Sequence, residues 1–177
     1  MVKVIRFLGL SFSLSLSVLG LLAGCDGAEE PDAGPVVDAG GARVELGEGT
    51  SRFEALTDGQ DVELIAGVQG GYHINLTGRL YGFALDDVTL DYAAVPVGAT
   101  AAISMPTQLV LDATDFVPDS GGVLRAGDFL IMEVEDPSEV VGMELDVTLV
   151  VTDTTGESAS DTRRLRVVDE ENELTPG

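Results

Sequence analysis

From Arg43 to Val168 apolar and polar residues alternate with a period of two, the pattern of strands that bury one face. Val62, Leu64 and Ala66 alternate with Asp61, Glu63 and Ile65, and Tyr72, Ile74, Leu76 and Leu80 with His73, Asn75, Thr77 and Arg79. Val88, Leu90 and Tyr92 do the same, as do Met143, Leu145, Val147, Leu149 and Val151. The pattern predicts strands over 43–46, 51–56, 61–66, 71–82, 88–95, 100–111, 128–135, 143–153 and 161–169. Asp58-Gly59, Gly70-Gly71, Asp119-Ser120-Gly121-Gly122, Ala126-Gly127-Asp128 and Thr155-Gly156 interrupt the alternation with turn chemistry. Asp136-Pro137-Ser138-Glu139 starts one short helical turn. No sustained helical stripe runs through this region, so the expected fold is all-β, an antiparallel sandwich of two sheets around one apolar interior.

The first 42 residues follow another logic. Lys3 and Arg6 precede an apolar stretch from Phe7 to Leu22, and Ala23-Gly24 are small. That order is the charged start, apolar middle and small-residue end of an export signal. Four serines, two glycines and the switch to Asp26, Glu29 and Glu30 weigh against a spanning helix, which needs about 20 apolar residues. Residues 26–42 combine acids, Gly, Pro and Ala with almost no bulky side chain and cannot bury enough surface to offset their ordering entropy. As a flexible coil they reach about 20–25 Å, and fully extended about 60 Å.

Leu22-Ala23-Gly24-Cys25 resembles the lipobox of bacterial lipoproteins. The resemblance implies cleavage before Cys25, acylation of its sulfur and amino group, and anchoring in a bilayer of the bacterial cell envelope, on an inner- or outer-membrane leaflet that it does not choose. One acyl chain holds marginally, at about 0.8 kcal/mol per buried methylene, whereas three make release negligible. The expected organisation is a signal peptide over 1–24, a lipidated Cys25 and linker over 25–42, a sandwich domain over 43–170 and a tail over 171–177.

The stretch from Met143 to Val168 is similar to the closing strand pair of bacterial surface domains of the immunoglobulin-like type: an apolar strand ending in Thr152-Asp153, a loop containing Gly156, and a returning strand. The resemblance implies an immunoglobulin-like sandwich, without the antibody-type cysteines and core tryptophan. Pairing across the Gly156 loop is expected to set Asp146 opposite Arg166 and Thr148 opposite Arg164, each pair worth about 0.2–1 kcal/mol. The chain also resembles uncharacterised envelope lipoproteins that join an Asp-Ala-Gly tether to a β-domain with a Gly-Gly-aromatic-His stretch, here Gly70-Gly71-Tyr72-His73. That likeness implies no activity.

With Cys25 the only cysteine and committed to lipid, the exported domain has no disulfide, thiolate metal site or cysteine nucleophile. Charge narrows the partners further. The chain carries 31 acids against 9 cations, a net of −22, and without Lys3 and Arg6 the remainder has seven arginines and no lysine. Such a field repels nucleic acid and anionic lipid headgroups.

Candidate chemistry is sparse. Pro118-Asp119-Ser120-Gly121-Gly122 resembles the nucleophile loop of chymotrypsin-like proteases, but Pro118 replaces the first glycine and His73, the single histidine, lacks that family's flanking residues. A tight turn is the better reading, since a serine nucleophile needs a base. The carboxylates are spread as on a solvated surface, which argues against a glycosidase or other hydrolase. Asp112, Asp115 and Asp119 are candidate ligands for a structural Ca²⁺, an ion that takes six to eight oxygens. A copper site from His73 with Met105, Met132 or Met143 is weaker, because those methionines sit in apolar runs suited to a core. His73, Asn75, Thr77, Arg79 and Tyr81 form an outward row about 27 Å long, a candidate contact face with two residue types common at hot spots. The expectation is a non-enzymatic envelope lipoprotein whose sandwich binds an envelope or surface protein or serves structurally. A Ca²⁺ or small-ligand module is the alternative.

Overall fold

The computed structural model describes residues 41–68 and 70–169. Cys25, the signal peptide, nearly all of the linker and the tail lie outside them. The strands are β1 (Arg43–Glu48), β2 (Glu54–Ala55), β3 (Gln60–Glu63), β4 (Ile65–Ala66), β5 (Tyr72–Tyr81), β6 (Val88–Pro96), β7 (Thr107–Leu111), β8 (Val117–Asp119), β9 (Gly122–Met132), β10 (Glu144–Thr152) and β11 (Ser158–Val168). They form two sheets, β2-β1-β5-β9-β8 with β4 also on β5, and β3-β11-β10-β6-β7. Within these, β1-β5-β9-β8 and β11-β10-β6 reproduce the two sheet orders of an immunoglobulin domain, an all-β sandwich.

The inner faces are the alternating apolar sets seen in the sequence. Ile74, Leu76 and Leu80 of β5, with Leu130 and Met132 of β9, face Leu90, Tyr92 and Ala94 of β6 and Leu145, Val147, Leu149 and Val151 of β10, all buried. Gly78 faces inward among them, where a Cβ would lie 3.0 Å from Leu149 Cδ2 and 3.5 Å from the Tyr92 hydroxyl. In antibody domains a tryptophan on the third strand packs against a disulfide. Here Tyr92 occupies the third strand of the β11-β10-β6 sheet, and leucines and a glycine surround it.

Several expected elements differ in extent. The run at 61–66 is two strands in two sheets: β3 pairs parallel with β11, the Leu64 N–H donates to Val168 O (2.8 Å), and β4 pairs with β5. The chain changes sheets at the sandwich edge, so Val62 and Leu64 stay buried. The expected strand at 51–56 shrinks to Glu54–Ala55, and that at 100–111 to Thr107–Leu111. The segment before β7 instead bridges the sheets, with Ile103 N–H on Ala94 O (2.9 Å) and Met105 N–H on Ile131 O (2.8 Å). A short 3₁₀ turn at Pro137–Glu139 matches the expected helical turn. The Asp119–Gly122 turn is a two-residue hairpin with Ser120 and Gly121 both at positive φ, the geometry that matches strand twist.

The largest correction is β9, which begins at Gly122, although Ala126-Gly127-Asp128 reads as a turn. Gly127 is an extra residue: Leu76 pairs with Asp128 and Thr77 with Ala126, leaving a bulge with Gly127 at φ +78°. Replacing Gly127 by alanine is expected to cost about 1–2 kcal/mol, the price of a left-handed conformation for a residue with a Cβ, measurable as a lowered urea midpoint. The closing hairpin also shifts by two positions from expectation. Asp146 lies opposite Arg164, Glu144 opposite Arg166 and Thr148 opposite Thr162, because the five residues 153–157 form the loop.

Candidate functional site

The two outer faces of the sandwich are unlike. On the β3-β11-β10-β6-β7 sheet most outward side chains are polar and many pair with one another, with Val110 of β7 the strongly exposed apolar one at 61 %. Arg164 Nε donates to Asp146 Oδ1 (2.9 Å), Arg166 to both Asp61 oxygens (2.6 Å each), Thr148 pairs with Thr162 (2.9 Å) and Gln108 donates to Asp91 (2.8 Å).

The expected contact row lies on the other sheet, along β5, and divides in two. At one end, Arg79 Nη2 lies 2.6 Å from Asp119 Oδ2 and Nη1 3.3 Å from Glu45 Oε2, with its guanidinium 3.9 Å over the Phe53 ring. Tyr81 reaches Glu45 (3.3 Å) and lies under the Arg43 guanidinium. Arg79 and Tyr81 are thus held in a network rather than offered freely. Thr77 is fully buried, its hydroxyl donating to the Gly49 carbonyl. The sequence row is therefore interrupted by the loop after β1, which packs over it.

At the other end, His73 and Asn75 stand beside residues that the sequence row did not include. His73 pairs with Ile65 on one side and Ile131 on the other, and Asn75 with Phe129. Paired residues share a face. Phe129 is 56 % exposed, Met105 44 % and Ile131 43 %. His73 meets Phe129 edge to face at 4.8 Å, and burial pushes its imidazole below the ordinary value. The Asn75 Oδ1 atom is buried with no hydrogen-bond partner in the described structure and lines a cleft of about 210 Å³ with Glu48, Glu54, Glu63 and Ile65. Burial, then Glu54, raises the Glu48 carboxyl above its usual range, against the hydrogen bond from Gln60. Phe129 and Ile131 escaped the sequence reading because the Gly127 bulge hides the phase of β9; once that bulge is placed, alternation back from buried Leu130 and Met132 puts both outward.

Between the sheets the same bulge turns Asp128 inward. Its carboxylate is 4 % exposed, accepts the Tyr92 hydroxyl (2.8 Å) and faces Arg125 Nε (2.8 Å). Burial first, and then the Asp128 charge, hold the Tyr92 hydroxyl protonated well above its ordinary range.

The candidate calcium ligands do other work. Asp112 caps the 3₁₀ turn at Ala113–Asp115 by accepting the Thr114 N–H (2.7 Å), and Asp115 returns the bond to the Asp112 N–H (3.0 Å). Asp119 is bound to Arg79. Among the described residues no group of three His, Cys, Asp or Glu is placed to hold a metal ion. The copper candidates separate likewise: Met132 points into the core, while His73 and Met105 lie on the outer side. Ser120 occupies its hairpin tip, hydrogen-bonded to Asp119 (3.3 Å).

Asp153 organises the last loop from a buried position, accepting the N–H groups of Ala84 (2.9 Å), Thr155 (2.8 Å) and Glu157 (3.1 Å) and the Thr155 hydroxyl (2.7 Å). The Thr155 hydroxyl, followed by the Ala84 N–H, holds its carboxyl below the ordinary value of 3.8. Such a depressed group contributes stability above its unfolded pKa and loses it as pH falls through the lower folded value. The stability gap between the parent and Asp153→Asn is therefore expected to be constant from pH 7 to 5 and to close as pH drops below 3.8, as read from urea midpoints at each pH.

Every arginine from Arg43 on pairs with a carboxylate. The acids outnumber them across the chain, so the surface presents excess negative charge with no unpaired arginine among the described residues.

No protein-family model and no curated protein sequence matches the chain. Among solved structures it resembles the CooA pilin subunit from enterotoxigenic Escherichia coli, at 14 % identity and a TM-score of 0.37 over 71 % of this chain and 98 % of that one. The immunoglobulin order rests on the strand pairing described above.

Proposed function

We propose that the chain is a lipid-anchored protein of the bacterial envelope that works by protein contact and not by catalysis, with the outer face of the β1-β5-β9 sheet as its working surface. One observation carries this: one outer face is laced with cross-strand polar pairs and exposes a lone Val110 at its edge strand, while the other exposes Phe129, Ile131 and Met105 side by side. A contiguous apolar patch of this kind costs solubility and marks interaction sites. Cys25 supplies the anchor, and the acidic segment after it holds the domain off the bilayer.

The test is a photo-crosslinking side chain placed at Phe129 or at Thr162, which is exposed on the opposite face, in intact cells. Adducts from position 129 and none from 162 are expected. Equal adducts from both, or adducts from 162 alone, would overturn the reading.

A further inference from the structure

The patch borders an opening in the sheet. On its far side from β5, β9 pairs with β8 through Gly122–Leu124 and with Ser104 at Met132. Among the described residues no strand pairs with β9 between these points. The Ile131 carbonyl accepts the Met105 N–H on that side (2.8 Å), and the register from Asp128 to Met132 is regular. Backbone groups of alternate residues point the same way. The N–H and C=O of Phe129 and the N–H of Ile131 therefore point into the opening, which is about 14 Å long from Ala126 to Leu130.

Both ends of the opening are acidic. Arg125 Nη1 reaches the Asp115 carbonyl (3.4 Å), which places the Asp112–Asp115 turn at one end, and exposed Glu133 follows Ile131 at the other. None of these three carboxylates is ion-paired with an arginine. A strand edge with free main-chain groups binds an extended segment by pairing, and side chains beside it choose which one.

We propose that this edge of β9 takes an extended segment of a partner protein, apolar at alternate positions in its middle and lysine- or arginine-rich at both ends. The inference rests on the contact-face reading and adds the partner's chemistry. Pairing uses the three open main-chain groups, Phe129 and Met105 flank the apolar residues, and the carboxylates at the two ends receive the cations. A second copy of this chain would bring the same excess of carboxylates to the same edge, so like charges oppose self-association there.

The probe is a nine-residue peptide with a central Val-Thr-Val-Thr-Val and two lysines at each end, added to the full chain in detergent micelles. Saturation is expected to slow amide exchange at Phe129 and Ile131 at least tenfold. N-methylation of the central alternate amides is expected to weaken binding at least tenfold, and glutamates in place of the lysines to abolish it. Absence of binding by the lysine peptide, or equal binding by the glutamate peptide, overturns the partner chemistry. Binding without slowed exchange, or unaffected by N-methylation, overturns the edge pairing. Neither result touches the crosslinking contrast between positions 129 and 162, so failure here is distinguishable from failure of the contact face itself.

Discussion

Asp128→Ala is expected to lower the stability of the domain by about 3 kcal/mol. The carboxylate is 4 % exposed, joins the two sheets through the Tyr92 hydroxyl at 2.8 Å, and pairs with Arg125 of its own strand at 2.8 Å. Its removal leaves a buried hydroxyl without an acceptor, worth about 1–3 kcal/mol. Breaking a fully buried ion pair costs about 3–5 kcal/mol, but the Arg125 side chain is 26 % exposed and can turn toward water, which reduces that part. For a domain of this size the loss corresponds to a thermal midpoint lower by about 10 °C. Tyr92→Phe leaves the Asp128–Arg125 pair intact and is expected to cost only about 1 kcal/mol. Calorimetry of the two single variants and the double variant measures the coupling. A double variant no worse than Asp128→Ala would show that the tyrosine acts through the carboxylate.

Phe129→Asp is expected to weaken the lysine-ended peptide at least 30-fold while leaving the thermal midpoint nearly unchanged. The side chain is 56 % exposed, so truncation opens no cavity, and surface substitutions ordinarily stay within about 0.5 kcal/mol. In the bound state the same ring is an anchor at the centre of the patch, where loss of a hot spot costs about 2 kcal/mol or more, a factor of about 30. The added carboxylate attracts the lysines, so any loss measured reflects apolar contact and geometry rather than charge. Titration by NMR, with Thr162→Asp as the control on the opposite face, separates the two. Equal weakening by both variants would show that the loss is not specific to the Phe129 patch.

Much of the sandwich could be read from Arg43 to Val168 because strands that bury one face must alternate. β5, β6 and β10 appear with their inward residues right, and the immunoglobulin-like closing hairpin is in place. What escaped was decided by the third dimension. The 61–66 run alternates cleanly, yet it serves two sheets, since the interior is shared at the sandwich edge and a change of sheet leaves no mark on the hydrophobic pattern. β9 was lost where Arg125 and Asp128 point inward, because polar residues that satisfy one another across a bulge look like solvent-facing ones in a sequence. The same bulge concealed half of the candidate site. His73 and Asn75 follow from the phase of β5, and their apolar neighbours Phe129, Ile131 and Met105 come from one strand, β9, 54 to 58 residues away or from a bridging segment whose phase the pattern does not set. Thr77, Arg79 and Tyr81 were placed correctly on the outer side, but a loop and a salt-bridge network occupy them.

If the outer face of the β1-β5-β9 sheet is the working surface, it is covered in the envelope while the opposite face stays bare. The most direct measurement is the rate of thiol labelling of Ile131→Cys and of Thr162→Cys, each in intact envelopes and in the purified full chain. The cysteine at 131 is expected to label at least tenfold more slowly in envelopes than after purification, and that at 162 at the same rate in both. Equal rates at 131 in the two preparations would contradict the covering of that face.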